Sequence, residues 1–265
     1  MVRLGAVNYL NVRPLVYGLA DHPDVDLRFD VPSECARLLA ANAIDFGMVP
    51  SISYLDRPSD RIVPGICIGS EGPVASVALF TRTPTRQISR IAIDTSSRTS
   101  AALVRIVCRR VFDVDPVFVP HGPDIHAMLA VADAALLIGD PALFCDPPPD
   151  VAKIDLGTVW AEMTGLPFVW AFWAGRPEAA SPATVRLLQS AAKDGVANLD
   201  AIAAAYTEAN PDRVALATRY LHENLIFTFG PRMLEGLTTY YREAALLGLA
   251  PTAAPAFVAT GSTLE

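Results

Sequence analysis

The chain has 265 residues, 52% of them hydrophobic and only 18% charged, which excludes a disordered polymer and predicts a large core. Its net charge of −7 leaves no basic field of the kind that nucleic acids or anionic membranes recruit. Four cysteines, Cys35, Cys67, Cys108 and Cys145, form no CxxC pair, so neither a zinc ribbon nor a dithiol redox centre is expected, and a reducing compartment fits them.

The first residues, Val2–Val7, read as a strand that feeds a polar turn, Asn8-Tyr9-Leu10-Asn11. That apolar run is too short for a signal-peptide core and no small-residue cleavage site follows, so the expectation is a cytoplasmic protein without a membrane span. Further strands are predicted over Val25–Val31, Ile44–Val49, Ile62–Ile68, Val74–Thr81, Ile91–Asp94, Val117–Val119, Ala134–Ile138, Val151–Leu156 and Phe168–Ala174. Between them lie helical segments such as Ser33–Ala41, with Ser33 as its cap, and Thr99–Phe112, where Leu103, Ile106, Val107 and Val111 recur at helical spacing. From Ser181-Pro182, a cap followed by proline at the first helical position, the chain turns helical, with Leu199–Glu208, Pro211–Asn224 and Pro231–Leu247 following. Alternating strands and helices predict a mainly parallel α/β architecture in two lobes. The expected boundaries are 1–84 for the first lobe, 85–175 for the second, and 176–265 for a helical return to the first. The apolar helical part offers a face for a homodimer.

Ligands of open α/β sheets sit outside the carboxyl ends of the strands. Four segments qualify here: Asn8–Asn11, Val49-Pro50-Ser51, Thr95–Ser100 and Gly139-Asp140-Pro141. In Thr95–Ser100, the residues Ser97, Arg98, Thr99 and Ser100 place hydroxyls, an arginine and free N–H groups at a helix start, a cradle for a carboxylate or phosphate. An ordinary helix cap needs only one of them. Asn8 and Asn11 are either ligand-holding amides or turn asparagines that bond their own backbone. Ser51 and Ser76 are strand-edge hydroxyls of the kind that usually serve structure, and Asp140 is placed to cap the helix after it. The aromatic group Trp160, Phe168, Trp170, Phe172 and Trp173 reads as core and lobe contact rather than a stacking wall. The four histidines are scattered, no metal-ligand spacing occurs, and GxGxxG, GxxxxGK[ST] and GxSxG are all missing. The site that can be assembled is rich in amides and hydroxyls and poor in bases.

These segments carry a resemblance. Asn8-Tyr9-Leu10-Asn11 with Pro14-Leu15, Ile44-Asp45-Phe46-Gly47, Glu71-Gly72-Pro73-Val74 and Ser97-Arg98-Thr99-Ser100 resemble the chorismate dehydratase family of menaquinone biosynthesis. So do Leu137-Ile138-Gly139-Asp140, Asp155-Leu156-Gly157 and Thr164-Gly165-Leu166-Pro167-Phe168-Val169, all in the right order up to about residue 175. One departure is Asp94-Thr95 ahead of the serines, where small uncharged residues are expected and a carboxylate opposes an anion if it turns inward. The resemblance implies a type 2 periplasmic-binding-protein fold used as a cofactor-free cytoplasmic lyase. Such an enzyme removes water from chorismate, a dicarboxylate, to give 3-[(1-carboxyvinyl)oxy]benzoate in the futalosine route. It also implies roles: Asn11 and Ser76 at the chemistry, with Asn8, Ser51, Ser97, Arg98, Thr99, Ser100, Gly139 and Asp140 binding substrate and no metal. The substrate's own enolpyruvyl carboxylate is the implied base. The alternatives are the sister 1,4-dihydroxy-6-naphthoate synthase and a non-catalytic small-anion binder of the same fold.

Overall fold

A computed structural model describes residues 1–259. In chain order its elements begin with β1 (Val2–Val7), β2 (Val25–Asp30), α1 (Pro32–Ala40), β3 (Phe46–Pro50), β4 (Arg61–Ile62) and β5 (Gly65–Ser70). There follow β6 (Val77–Thr81), β7 (Arg90–Asp94), α2 (Thr99–Val107), β8 (Val117–His121), α3 (Ile125–Val131), β9 (Ala134–Ile138), α4 (Asp140–Leu143), β10 (Ala152–Asp155) and α5 (Leu156–Thr164). The chain closes with β11 (Phe168–Gly175), α6 (Pro182–Val196), α7 (Leu199–Tyr206), α8 (Pro211–Arg219), β12 (Ile226–Phe229) and α9 (Pro231–Leu246).

Two sheets organise these strands. One runs β12-β5-β11-β3-β1-β2 with β4 beside β11, and the other runs β10-β6-β9-β7-β8. Strands buried on both faces (β3, β6, β9) are unbroken apolar runs, as a sheet covered by helices demands. The sheets are mixed rather than mainly parallel. β1 pairs in parallel with β2 and β3, and β7 with β8 and β9, whereas β11 lies antiparallel to β3 and β5, and β6 antiparallel to β9 and β10. Both reversals belong to strands next to a crossover between sheets. The crossovers also fall earlier than positions 84 and 175: β6 already belongs to the second sheet, and all of β11 to the first.

Local corrections have local causes. The strand expected from Val74 starts at Val77, because Ala75 takes a positive φ of 62° and breaks the extended run. The run Ile62–Ile68 splits into β4 and β5 at Pro64-Gly65, where Gly65 has φ 82°. Ser33 lies inside α1, whose N-cap is Val31 with proline following. The helix from Thr99 changes to a π-turn over Cys108–Phe112, and α8 does the same over Tyr220–Asn224. Ser181 caps α6 by accepting from the Thr184 N–H, as its sequence signature implies.

The C-terminal helices fix the site-bearing loops. After β1 the chain makes a 3₁₀ turn over Leu10–Val16, and α6 packs directly on it. At Gly195 of α6 a Cβ would stand 1.9 Å from the Pro14 carbonyl oxygen, so only glycine permits this approach. α9 reaches elements of both sheets: Tyr240 Oη donates to the Thr99 carbonyl at 2.9 Å, and Tyr241 Oη donates to the Ser51 carbonyl, just after β3, at 2.6 Å. The helical third therefore braces both halves, not the first alone. Cys35, Cys67 and Cys108 are buried and Cys145 half-buried, and none forms a disulfide.

Candidate active site

The carboxyl ends of β1, β3, β7 and β9 converge on a cavity between the two sheets that encloses about 600 Å³ of space, its open mouth included. Its polar lining consists of Tyr9, Asn11, Ser76, Ser96, Arg98, Thr99, Ser100 and the Gly139 backbone, against apolar walls that include Val12, Met48, Ile68, Val74, Ile138 and Trp170. A more voluminous groove lies on the outer surface beside Met1, His22 and Arg176, remote from these strand ends.

Asn11 stands on the 3₁₀ turn after β1, and its Oδ1 is buried without a hydrogen-bond partner. Ser76 follows the strained Ala75 in the crossover from β5 to β6. Asp155 holds that crossover in place: its carboxylate accepts from the Val74 N–H at 3.1 Å and the Ala75 N–H at 2.6 Å while capping α5 through Thr158 N. The Ser76 hydroxyl accepts a 2.7 Å bond from Tyr220 Oη.

On the far wall α2 begins. Thr99 Oγ1 donates to the Trp170 carbonyl at 3.3 Å, accepts from Ile52 N at 3.3 Å and lies 3.4 Å from Ser51 Oγ. Ser100 is buried and lines the cavity with no side-chain partner of its own among the described residues. Arg98 lines the mouth while its guanidinium donates to Asp56 at 2.8 Å on the surface. Asp94 is buried and lies outside the cavity lining. Its Oδ1 accepts from both Ser96 N and Ser96 Oγ, while its Oδ2 is buried without a partner among the described residues.

Several expected ligand residues lie outside the cavity lining. Ser51 is fully buried beneath Thr99 and does not line the cavity, and Ser97 Oγ is buried away from it without a partner. Asn8 lies outside, its Oδ1 accepting from Arg13 at 2.5 Å. Asp140 does not cap α4, whose N-cap is Gly139. Its carboxylate accepts from the Leu10 N–H at 3.1 Å and from the Tyr206 hydroxyl, so it ties the end of β9 to the turn that carries Asn11 and to α7. Burial pushes the Asp140 carboxyl up, partly offset by these donors. Gly139 touches the site by its backbone, at φ 61° and ψ −145°, against the Tyr9 ring. Burial likewise pushes the Tyr9 phenol up, with the Ser96 hydroxyl working against it.

The structure thus brings Asn11, Ser76, Arg98, Thr99, Ser100 and Gly139 to one cavity, and leaves Asn8, Ser51, Ser97 and Asp140 outside its lining. Trp170, expected as core, lines the wall, its indole N–H held by Ser70 Oγ at 3.0 Å. Tyr9, Ser96 and Tyr220 were not singled out by sequence reasoning. Tyr9 and Ser96 at least lie in strand-end segments that it selected, whereas nothing local marks Tyr220. Of the lining side chains only Tyr9 and Arg98 are ionisable, and neither is a base near neutral pH. Among the described residues no group of three or more His, Cys, Asp or Glu is placed to hold a metal ion, and no helix is long and apolar enough to cross a membrane.

A family profile described as menaquinone biosynthesis matches residues 2–246. The chain belongs to that family. Within it, the chain is 31% identical over 220 residues to a protein of Thermus thermophilus named chorismate dehydratase, covering 76% of this chain and 80% of the relative. Among solved structures, a protein of Archaeoglobus fulgidus superposes with a TM-score of 0.74 at 19% identity, over 94% of this chain and 98% of that one. A Candida albicans protein described as having the generic periplasmic binding protein fold gives 0.64 at 12% identity, over 100% and 99% of the two chains. The fold of this family member is therefore that of the periplasmic binding proteins, two α/β lobes with the cavity between them.

Proposed function

We propose that this chain is a chorismate dehydratase, a carbon–oxygen lyase that converts chorismate to 3-[(1-carboxyvinyl)oxy]benzoate and water. One observation carries the reading. Asn11 and Ser76 share with the N-terminus of α2 a cavity whose ionisable lining side chains, among the described residues, are a phenol and a guanidinium. The name of the 31% identical relative supports it independently.

The chemistry suits that lining. Chorismate carries two carboxylates, and loss of water makes its ring aromatic, so elimination is downhill and redox-neutral. We read it as needing no cofactor. The proton lost sits on the ring carbon that bears the enolpyruvyl ether, vinylogous to the ring carboxylate. Removing it drives charge onto that carboxylate through a dienolate, after which the neighbouring hydroxyl leaves. Donors that bind the ring carboxylate harder as charge builds lower the barrier. We assign this part to the start of α2, where Ser100, the Thr99 backbone and the helix dipole meet. Asn11, an amide, positions and polarises but takes no proton, so the substrate's enolpyruvyl carboxylate is assigned as the internal base, held by the closed lobes. We place the reaction in the cytoplasm, where chorismate is made.

The test is an incubation of the purified protein with chorismate and no additive, followed by ultraviolet absorbance and mass spectrometry. The expected result is an aromatic product lighter than chorismate by one water. Chorismate recovered unchanged overturns the assignment, and opening of cyclic futalosine by the same preparation points to the sister naphthoate synthase reaction instead.

A further inference from the structure

Tyr220 is the feature that the account so far leaves without a task. It sits where α8 gives way to the π-turn Tyr220–Asn224, is 1% exposed, and reaches 144 residues back along the chain to Ser76. We propose that Tyr220 is a positioning residue of the dehydration: by committing its phenolic proton to Ser76 Oγ it turns the Ser76 hydroxyl proton into the cavity, towards an oxygen of the substrate that gains negative charge. This rests on the dehydratase reading above.

Each hydroxyl has one proton to give and two lone pairs with which to accept. The two oxygens are 2.7 Å apart, so one of them donates. The phenol is much the stronger acid of the two and is the natural donor. Burial holds the phenol neutral, which keeps that proton in place. Ser76 Oγ has no other side-chain or backbone partner among the described residues, and it lines the cavity. Its own proton is therefore spare, and the space it can enter is where substrate binds. A hydroxyl that already accepts a hydrogen bond is a better donor in its turn, so the Tyr220–Ser76 chain strengthens the contact it directs.

A merely structural tyrosine and a positioning one differ in how they couple to Ser76. Wild type, Tyr220→Phe, Ser76→Ala and the double variant are compared, each checked for folding by urea unfolding. Wild-type turnover of chorismate is measured first, and its absence overturns the dehydratase reading rather than the role of Tyr220. With an active wild type, Tyr220→Phe is expected to lower kcat by about 10–100-fold with KM changed less than about threefold. In the Ser76→Ala background the same substitution is expected to cost less than about twofold, because the hydroxyl it directs is gone. Binding of the aromatic product to the four proteins, by calorimetry, reads the same coupling where residual turnover is too slow to follow. Equal fold-losses in both backgrounds, or full kcat in Tyr220→Phe alone, overturn the proposal.

Discussion

Gly139→Ala probes the wall between the lobes with one added carbon. At φ 61° and ψ −145° the backbone lies in a region open essentially to glycine, and holding alanine there costs about 1–3 kcal/mol. The new Cβ would lie 2.7 Å from two carbons of the Tyr9 ring, where ordinary contact starts at 3.4 Å, so ring or strand end must retreat by about 0.7 Å. Tyr9 lines the cavity together with Ser96, so its retreat shifts the wall formed by the loops after β1 and β7. Taking about 3 kcal/mol in all, at about 2–4 °C per kcal/mol for a chain of this size, Tm should fall by roughly 6–12 °C. Displacement of a cavity wall by a large fraction of an ångström should lower kcat/KM at least about tenfold. Calorimetric unfolding and steady-state turnover of chorismate read the two effects. In a Tyr9→Ala background the clash is gone and the backbone term of about 1–3 kcal/mol should be all that remains. Unchanged Tm and kcat/KM in the single variant would refute the reasoning.

Two further predictions use other parts of the molecule. Asp45 accepts from Arg3 and Arg176, and the Arg3 guanidinium, ahead of the other contacts, holds its carboxyl down to about 2. A lowered folded-state value means that the stabilisation is complete above the ordinary 3.8 and disappears as pH falls through about 2. Because the Arg3 side chain is 42% exposed, the full conversion is discounted to about 1–2 kcal/mol, the loss expected for Asp45→Asn in urea unfolding at pH 7. That loss should shrink to nothing when the titration is repeated towards pH 2. Asn11→Ala should lower kcat by about 10²–10³-fold, the effect of removing one preorganised polar contact, with unfolding free energy changed by less than about 1 kcal/mol. An Asn11→Ala protein with wild-type turnover removes that residue from the mechanism.

How far the sequence speaks depends on how far apart the interacting residues are. β9 and β11 are legible because their apolar runs are long enough to be buried on both faces, and the start of α6 because Ser181-Pro182 is a local signal. Strand direction is not written in hydrophobic periodicity, so the antiparallel placement of β6 and β11 emerges only with the pairing itself. The four-residue β12, lodged between a π-turn and α9, is too short to show a period. At the site, the helix start at Thr99 and the turn at Asn11 could be read as strand-end polar loops. Asp140 could not: its partners Leu10 and Tyr206 lie 130 and 66 residues away, and near neighbours alone make it look like a cap. Ser51 and Thr99 meet across 48 residues, and that contact, invisible in either segment, turns Ser51 from a candidate ligand into a support.

In the mechanism proposed here, the protein holds chorismate still while the substrate's own enolpyruvyl carboxylate takes the proton. Chorismate methylated on that carboxylate alone, with the ring carboxylate left free, tests it directly in the same mass-spectrometric assay. The ester is expected to bind, to compete with chorismate and to yield no aromatic product. Dehydration of the ester at a rate near that of chorismate would contradict it and place the base on the protein.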